Sequence, residues 1–173
     1  MTETIVTQIS VNDEVDAFFD NSSVSASGDP EIVLIMGGVA VGKTTYRKEN
    51  YANGYVVVDS VEVFLNLCRG EYFDFPGPFE EMMEIIGQLI ADRAVSERRN
   101  IVTELTGSDY EPTAALIEAM KFIGYKVNLI GLECDFEEAM KRNLERDENC
   151  ISAYYAEPYQ RRWLMKAAGN ENT

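Results

Sequence analysis

The stretch Ile32-Val33-Leu34-Ile35-Met36-Gly37-Gly38-Val39-Ala40-Val41-Gly42-Lys43-Thr44-Thr45 passes from five apolar residues directly into a glycine-rich loop. An unbroken apolar run of strand length is expected where a strand is covered on both faces. Gly37, Gly42, Lys43 and Thr44 then complete the pattern G-x-x-x-x-G-K-[ST], with a strand before it and a helix expected over Lys43 to about Tyr51. Glycines let consecutive backbone N–H groups turn inward around a phosphate, where a side chain would clash. The start of the following helix adds the positive end of its dipole, about half an elementary charge. Gly37, Gly38, Val39, Ala40, Val41, Gly42, Lys43, Thr44 and Thr45 are therefore expected to hold the phosphates of ATP, with Lys43 reaching the β- and γ-phosphates and Thr44 ligating Mg²⁺. An ordinary glycine turn with a surface lysine does not account for the full pattern in this context. The guanine signatures N-K-x-D and T-K-x-D are absent.

Downstream, short β-rich runs alternate with longer helical patterns. Tyr55 to Val58 reads as a second strand with Asp59 at its carboxyl end, and Asn100 to Thr103 as a third that delivers Glu104. Carboxyl ends of parallel strands form the rim where ligands bind in open α/β sheets. Between these strands, Phe79, Met82, Met83, Ile86, Leu89 and Ile90 fall at helical spacing behind Pro78 and read as core. Pro112 to Ile123 reads as a helix with Leu116, Ile117, Met120 and Ile123 inward, stopped by Gly124. Val127 to Leu132 is the fourth strand. Asp135 with Glu138 marks the start of a helix running to about Arg146, and a final helix is expected over residues 158–167. The pattern implies a three-layer α/β/α fold with a mainly parallel sheet of four to five strands. Residues 31–173 form one domain in this reading. Residues 1–30 form an N-terminal peripheral segment and linker, with Ile5, Ile9 and Val11 on alternate positions of a short edge strand and Asp13 to Phe19 helical.

Two rim carboxylates are candidates for chemistry. A base at a strand end takes the proton of an attacking hydroxyl, and Asp59 is assigned that role because the elements after its strand can shape an acceptor pocket. Glu104 supports Mg²⁺ or the acceptor, and Glu62 is a second choice of base. Each also fits a solvent-facing residue at a strand end. Arg142 and Arg146 share a helix face and suit closure over a transferring phosphoryl group, as do Arg161 and Arg162 beyond a polar, tyrosine-containing segment. The alternative is a solvated face on which Glu138 pairs with Arg142.

Composition narrows the function classes. The 173 residues carry 15 Lys+Arg against 30 Asp+Glu, a formal charge of −15, and no residue before Lys43 is basic. Such a surface disfavours nucleic acid and anionic membranes and leaves open a basic protein partner for the acidic face. The three cysteines, Cys68, Cys134 and Cys150, form no C-x-x-C spacing, and histidine is absent. Histidine-based nucleophilic catalysis and histidine-ligated metal sites are thereby excluded. No apolar run approaches a membrane span and the first residues lack a signal-peptide pattern, so a cytoplasmic location is expected.

Taken together, Met36 to Thr45, Val56 to Phe64, Asn100 to Gly107, Gly124 to Val127 and the Arg142/Arg146 pair resemble zeta-toxin-like and related small P-loop kinases over about residues 32–163. The resemblance implies transfer of the ATP γ-phosphate to a hydroxyl of a sugar, nucleotide-sugar or nucleoside-like acceptor, with a rim aspartate as base and lid arginines. One departure is that Val61 stands where such kinases often carry the second acid of a D-x-D pair, leaving Asp59 and Glu62. The expected activity is thus an ATP- and Mg²⁺-dependent phosphotransferase. A nucleotide-binding interaction protein without turnover is the competing class, and a kinase of a nucleic-acid hydroxyl a lesser one.

Overall fold

Along β1 (Glu31–Met36) alternate side chains enter two different cores, which is what its unbroken apolar run requires. Ile32 and Leu34 pack on one side, while Val33 and Ile35 pack on the other. The computed structural model describes residues 10–20, 22, 28–69, 79–106 and 110–145. Around β1 it places, in chain order, α1 (Val11–Ala17), α2 (Lys43–Asn50), β2 (Val56–Val57), α3 (Ser60–Leu67), α4 (Glu80–Ser96), β3 (Ile101–Leu105), α5 (Tyr110–Phe122), β4 (Lys126–Gly131) and α6 (Phe136–Leu144).

The four strands form one parallel sheet in the order β2-β3-β1-β4. Parallel pairing needs a crossover between strands, and the intervening helices supply it. Residues from α1, α3, α4 and α5 fill the larger core, including the fully buried Phe64, Ile86 and Ile90, together with Phe79 just ahead of α4. Tyr46 of α2, with Tyr51 and Tyr55, covers the smaller core on the opposite face. Helices therefore lie on both sides of the sheet, in the expected α/β architecture.

Local chemistry explains where elements stop and start. Gly124 adopts φ 85° and ends α5: its N–H donates to the Lys121 carbonyl at 3.0 Å, and the Tyr125 N–H reaches back to Met120 at 2.9 Å. That pair of bonds is the Schellman arrangement. The Tyr125 hydroxyl then lies within hydrogen-bond distance of the carbonyls of Ala94 and Arg99, tying the start of β4 to the end of α4. Asp135 caps α6, accepting from the N–H groups of Glu137 and Glu138 as its spacing suggests.

Several boundaries differ from expectation. The segment after Asp59 is helix α3, whose signal was Asp59 followed three residues later by Glu62 ahead of an apolar run. Strand β2 spans two residues instead of four, although the Val58 N–H still donates to the Val102 carbonyl; Tyr55, ahead of it, packs edge-on against Tyr51. Val11 opens a helix capped by the Ser10 side chain and is not on a strand, while Ile5 and Ile9 lie outside the described residues. Leu89 and Ile123, read as inward, are 41% and 39% exposed, so their helices bury a narrower stripe. Helix α6 ends at Leu144, and the expected helix over residues 158–167 lies outside the described residues.

Helix α1 packs on α4, with Val15 of the helix and Phe19 just beyond it in the larger core and Arg93 of α4 lying over the Phe19 ring. The buried Glu14 carboxylate accepts from Asn66 and from Arg69 at the end of α3. Ile90→Ala, which empties a fully buried position between α4 and the sheet, is expected to cost about 2–5 kcal/mol. Urea denaturation should show a lower midpoint with an unchanged slope.

Candidate functional site

The loop after β1 is compact. Gly37 donates to the Leu105 carbonyl at the end of β3, and Leu132 donates to the Met36 carbonyl at 2.7 Å. A Cβ on Gly37 would lie 2.6 Å from the Leu132 carbonyl oxygen, so only glycine lets the two backbones approach this closely. Ala40 and Gly42 take left-handed conformations, at φ 60° and 103°. Turns of this kind bring successive N–H groups to one side. The Lys43 ammonium folds over the loop and donates to the carbonyls of Gly37 and Gly38, each at 2.8 Å.

Beside the loop is a cavity of about 470 Å³, within the range of small-molecule sites. Met36, Gly37, Gly38, Val39 and Val41 form one wall. The opposite wall comes from Thr106 and from Gly131 to Cys134, the connection leading from β4 to α6. Thr106 falls within the segment Asn100 to Gly107, whereas Gly131 to Cys134 carries no recognisable motif. Ala40, Gly42, Lys43, Thr44 and Thr45 do not line this cavity; Thr44 and Thr45 stand exposed on the first turn of α2.

Sheet register brings the acidic candidates to the same rim. Glu104 pairs with Ile35, two residues before the loop, and Asp59 follows β2, which pairs with β3. The Thr44 hydroxyl donates to Oε2 of Glu104 at 2.9 Å. Oε1 of the same carboxylate accepts from Nε of Arg47 at 2.7 Å, and the other end of that guanidinium pairs with Glu62. Arg47 is 6% exposed, and no expectation singled it out. Its only sequence signal was position, one helical turn beyond Thr44 on the same face of α2. Burial alone would weaken the hold of Arg47 on its proton, but the carboxylates of Glu104 and Glu62 outweigh that and raise its pKa.

Asp59 serves α3 as its N-cap: Oδ1 accepts from the N–H groups of Val61 and Glu62 at 2.8 and 3.2 Å. Burial, reinforced by the charge of Glu104, nevertheless lifts its pKa above the ordinary carboxylate value, against the lowering effect of those two bonds and of Arg47. Arg142 donates to Glu138 at 2.9 Å on the exposed face of α6, the helix-face pairing weighed above. Arg146, Arg161 and Arg162 lie outside the described residues.

Thr44 and Glu104 offer adjacent hard oxygen donors at a helix N-terminus. This fits Mg²⁺, which takes one or two protein oxygens and completes its shell with water and substrate phosphates. Among the described residues there is no cluster of three His, Cys, Asp or Glu that would hold a metal without such help.

The zeta toxin family model matches residues 75–164, more than half of the chain. The chain belongs to the zeta toxin family. The matched region contains Glu104, Arg142 and Arg146 and begins beyond the glycine-rich loop. Among solved structures, the PezAT toxin-antitoxin system of Streptococcus pneumoniae superposes with a TM-score of 0.58 at 15% identity, covering 78% of this chain and 59% of that one. A complex of AvrRxo1-ORF1 and AvrRxo1-ORF2 with sulphate ions gives 0.63 at 16% identity, over 81% of this chain and 50% of that one. The same pair with ATP gives 0.53 at 14% identity, over 81% and 49%. At these identities the likeness is one of fold, and this chain spans about half to three-fifths of its neighbours. No curated protein matches the sequence.

The raised pKa of Asp59 has a consequence for stability. A carboxyl that holds its proton more tightly folded than unfolded loses stability as pH rises from the unfolded pKa through the folded one. Asp59→Asn keeps a side-chain oxygen for the cap and removes the charge. Above that window the variant should melt no lower than the wild type, and below it the two should converge. Melting curves from pH 4 to pH 8 check this.

Proposed function

We propose that the protein transfers the γ-phosphate of Mg-ATP to a hydroxyl of a small molecule: a sugar, nucleotide-sugar or nucleoside-like acceptor. The observation that carries this reading is the Thr44–Glu104 contact beneath a compact glycine loop, because it joins the phosphate-binding helix to a rim carboxylate. Family membership and the ATP-containing structural neighbour support it. In this scheme the loop amides and Lys43 hold the phosphates, while Thr44 and Glu104 hold Mg²⁺. Bound there, the ion offsets charge on the phosphate oxygens. The acceptor oxygen attacks the γ-phosphorus, the bond from that phosphorus to the bridging oxygen of ADP breaks, and the acceptor's proton passes to Asp59. A base whose pKa is lifted toward neutrality is better matched to that transfer than an ordinary carboxylate. Arg142 and Arg146 are the side chains assigned to closing over the phosphoryl group, which for Arg142 means leaving Glu138.

Incubation with γ-labelled ATP, Mg²⁺ and a metabolite extract tests the scheme. Label should appear on a small molecule with the wild type. Asp59→Asn should lower transfer by ~10²–10⁴ while ATP affinity stays within a few-fold, since a base acts on the transition state. Lys43→Ala should weaken nucleotide binding itself. Transfer that survives unchanged in Asp59→Asn removes that residue from the role.

A second reading is a nucleotide-dependent interaction protein that binds a basic partner through its acidic surface. Two observations favour it: the charge of −15 and the occurrence of the structural neighbours in two-protein assemblies. Under it no acceptor is labelled by the wild type, and Lys43→Ala changes partner binding.

A further inference from the structure

Helix α2 turns a guanidinium inward, and its neighbours explain how it remains there. A buried cation persists only when paired and hydrogen-bonded. Arg47 is paired twice, with carboxylates from two different elements: Glu104 of β3 and Glu62 of α3. One turn earlier on the same face, Thr44 holds the remaining oxygen of Glu104. Helix α2 thus grips one carboxylate by both oxygens. Through Glu62 it also holds the first turn of α3, where the Glu62 N–H is one of the two donors to Asp59. A single side chain therefore links the phosphate-binding helix to both elements that carry rim acids.

We propose that Arg47 is a positioning residue, fixing Glu104 against Thr44 and the first turn of α3 beneath Asp59 while touching neither nucleotide nor acceptor. The inference rests on reading Thr44 and Glu104 as the Mg-nucleotide site. It differs from an ordinary buried ion pair, which would serve stability alone. Arginine is required because its rigid fork spans two carboxylates at once; the ammonium of lysine is a single point on a flexible stem.

The test uses the full chain with Arg47→Lys and Glu62→Gln. Mn²⁺ is the metal probe, followed by electron paramagnetic resonance in the presence of a non-hydrolysable ATP analogue. Nucleotide affinity is measured separately in EDTA, and turnover as release of label from γ-labelled ATP. Arg47→Lys should bind the nucleotide in EDTA within about threefold of wild type, yet lose roughly 10–100-fold in Mn²⁺ affinity, the usual effect of removing a partner behind a metal ligand. Turnover should fall by about 10², as expected for a small misplacement of reacting groups. Glu62→Gln keeps the Arg47–Glu104 contact, so Mn²⁺ affinity should stay within about threefold while turnover drops. A lower melting temperature in Arg47→Lys with Mn²⁺ affinity and turnover intact would reduce Arg47 to a structural ion pair. Equal loss of nucleotide affinity in EDTA and of turnover would make it a phosphate contact and overturn the proposal. If the wild type binds Mn²⁺ and nucleotide but releases and transfers no label, the kinase reading fails while the Mn²⁺ comparison still decides the part played by Arg47.

Discussion

A strand that is apolar on both faces is stable only where helices cover both sides of the sheet and neighbours pair with both edges. β1 meets each condition, with β3 on one edge and β4 on the other. Its carboxyl end therefore opens at the middle of the sheet, and the glycine loop must emerge between the ends of two other strands. From that one constraint follow the contact of Gly37 with Leu105, the pressure of Leu132 on the loop from the other side, and the delivery of Glu104 beside α2. The loop owes its shape to the strands around it as much as to its own glycines.

The rim gathers like charges, which repel one another at short range. Asp59, Glu62 and Glu104 belong to a protein that already carries fifteen excess negative charges. Arg47 answers that repulsion locally, and Lys43 brings a second cation to the loop. The lifted pKa of Asp59 comes first from its burial, with the charge of Glu104 adding to it and Arg47 opposing it. A carboxyl buried in this way costs stability when it is ionised.

The architecture was legible wherever one local signal sufficed. The run ahead of Gly37 identified the central strand, Gly124 the end of α5, and Asp135 the start of α6. Asp59 and Glu104 were placed on the rim from strand ends alone. What escaped notice depended on partners far apart in sequence. Arg47 looked like any helix-surface arginine until Glu62 and Glu104, fifteen and fifty-seven residues away, closed on it. The wall from Gly131 to Cys134 has no motif because its part is to stand near the loop. The capping signal of helix α3 is hidden in the sequence because the same residue, Asp59, also stands at a strand end, where a carboxylate reads as a rim acid.

Among the described residues β4 ends the sheet on one side, and Leu129 on its face is 51% exposed; an unpaired strand edge is a place where two molecules can associate. Near neutral pH the mutual repulsion of strongly anionic molecules keeps such edges apart. As the pH approaches the isoelectric point of about 4.3, that repulsion vanishes. Association between molecules is therefore expected to increase as the pH falls toward that point and as salt screens the charge.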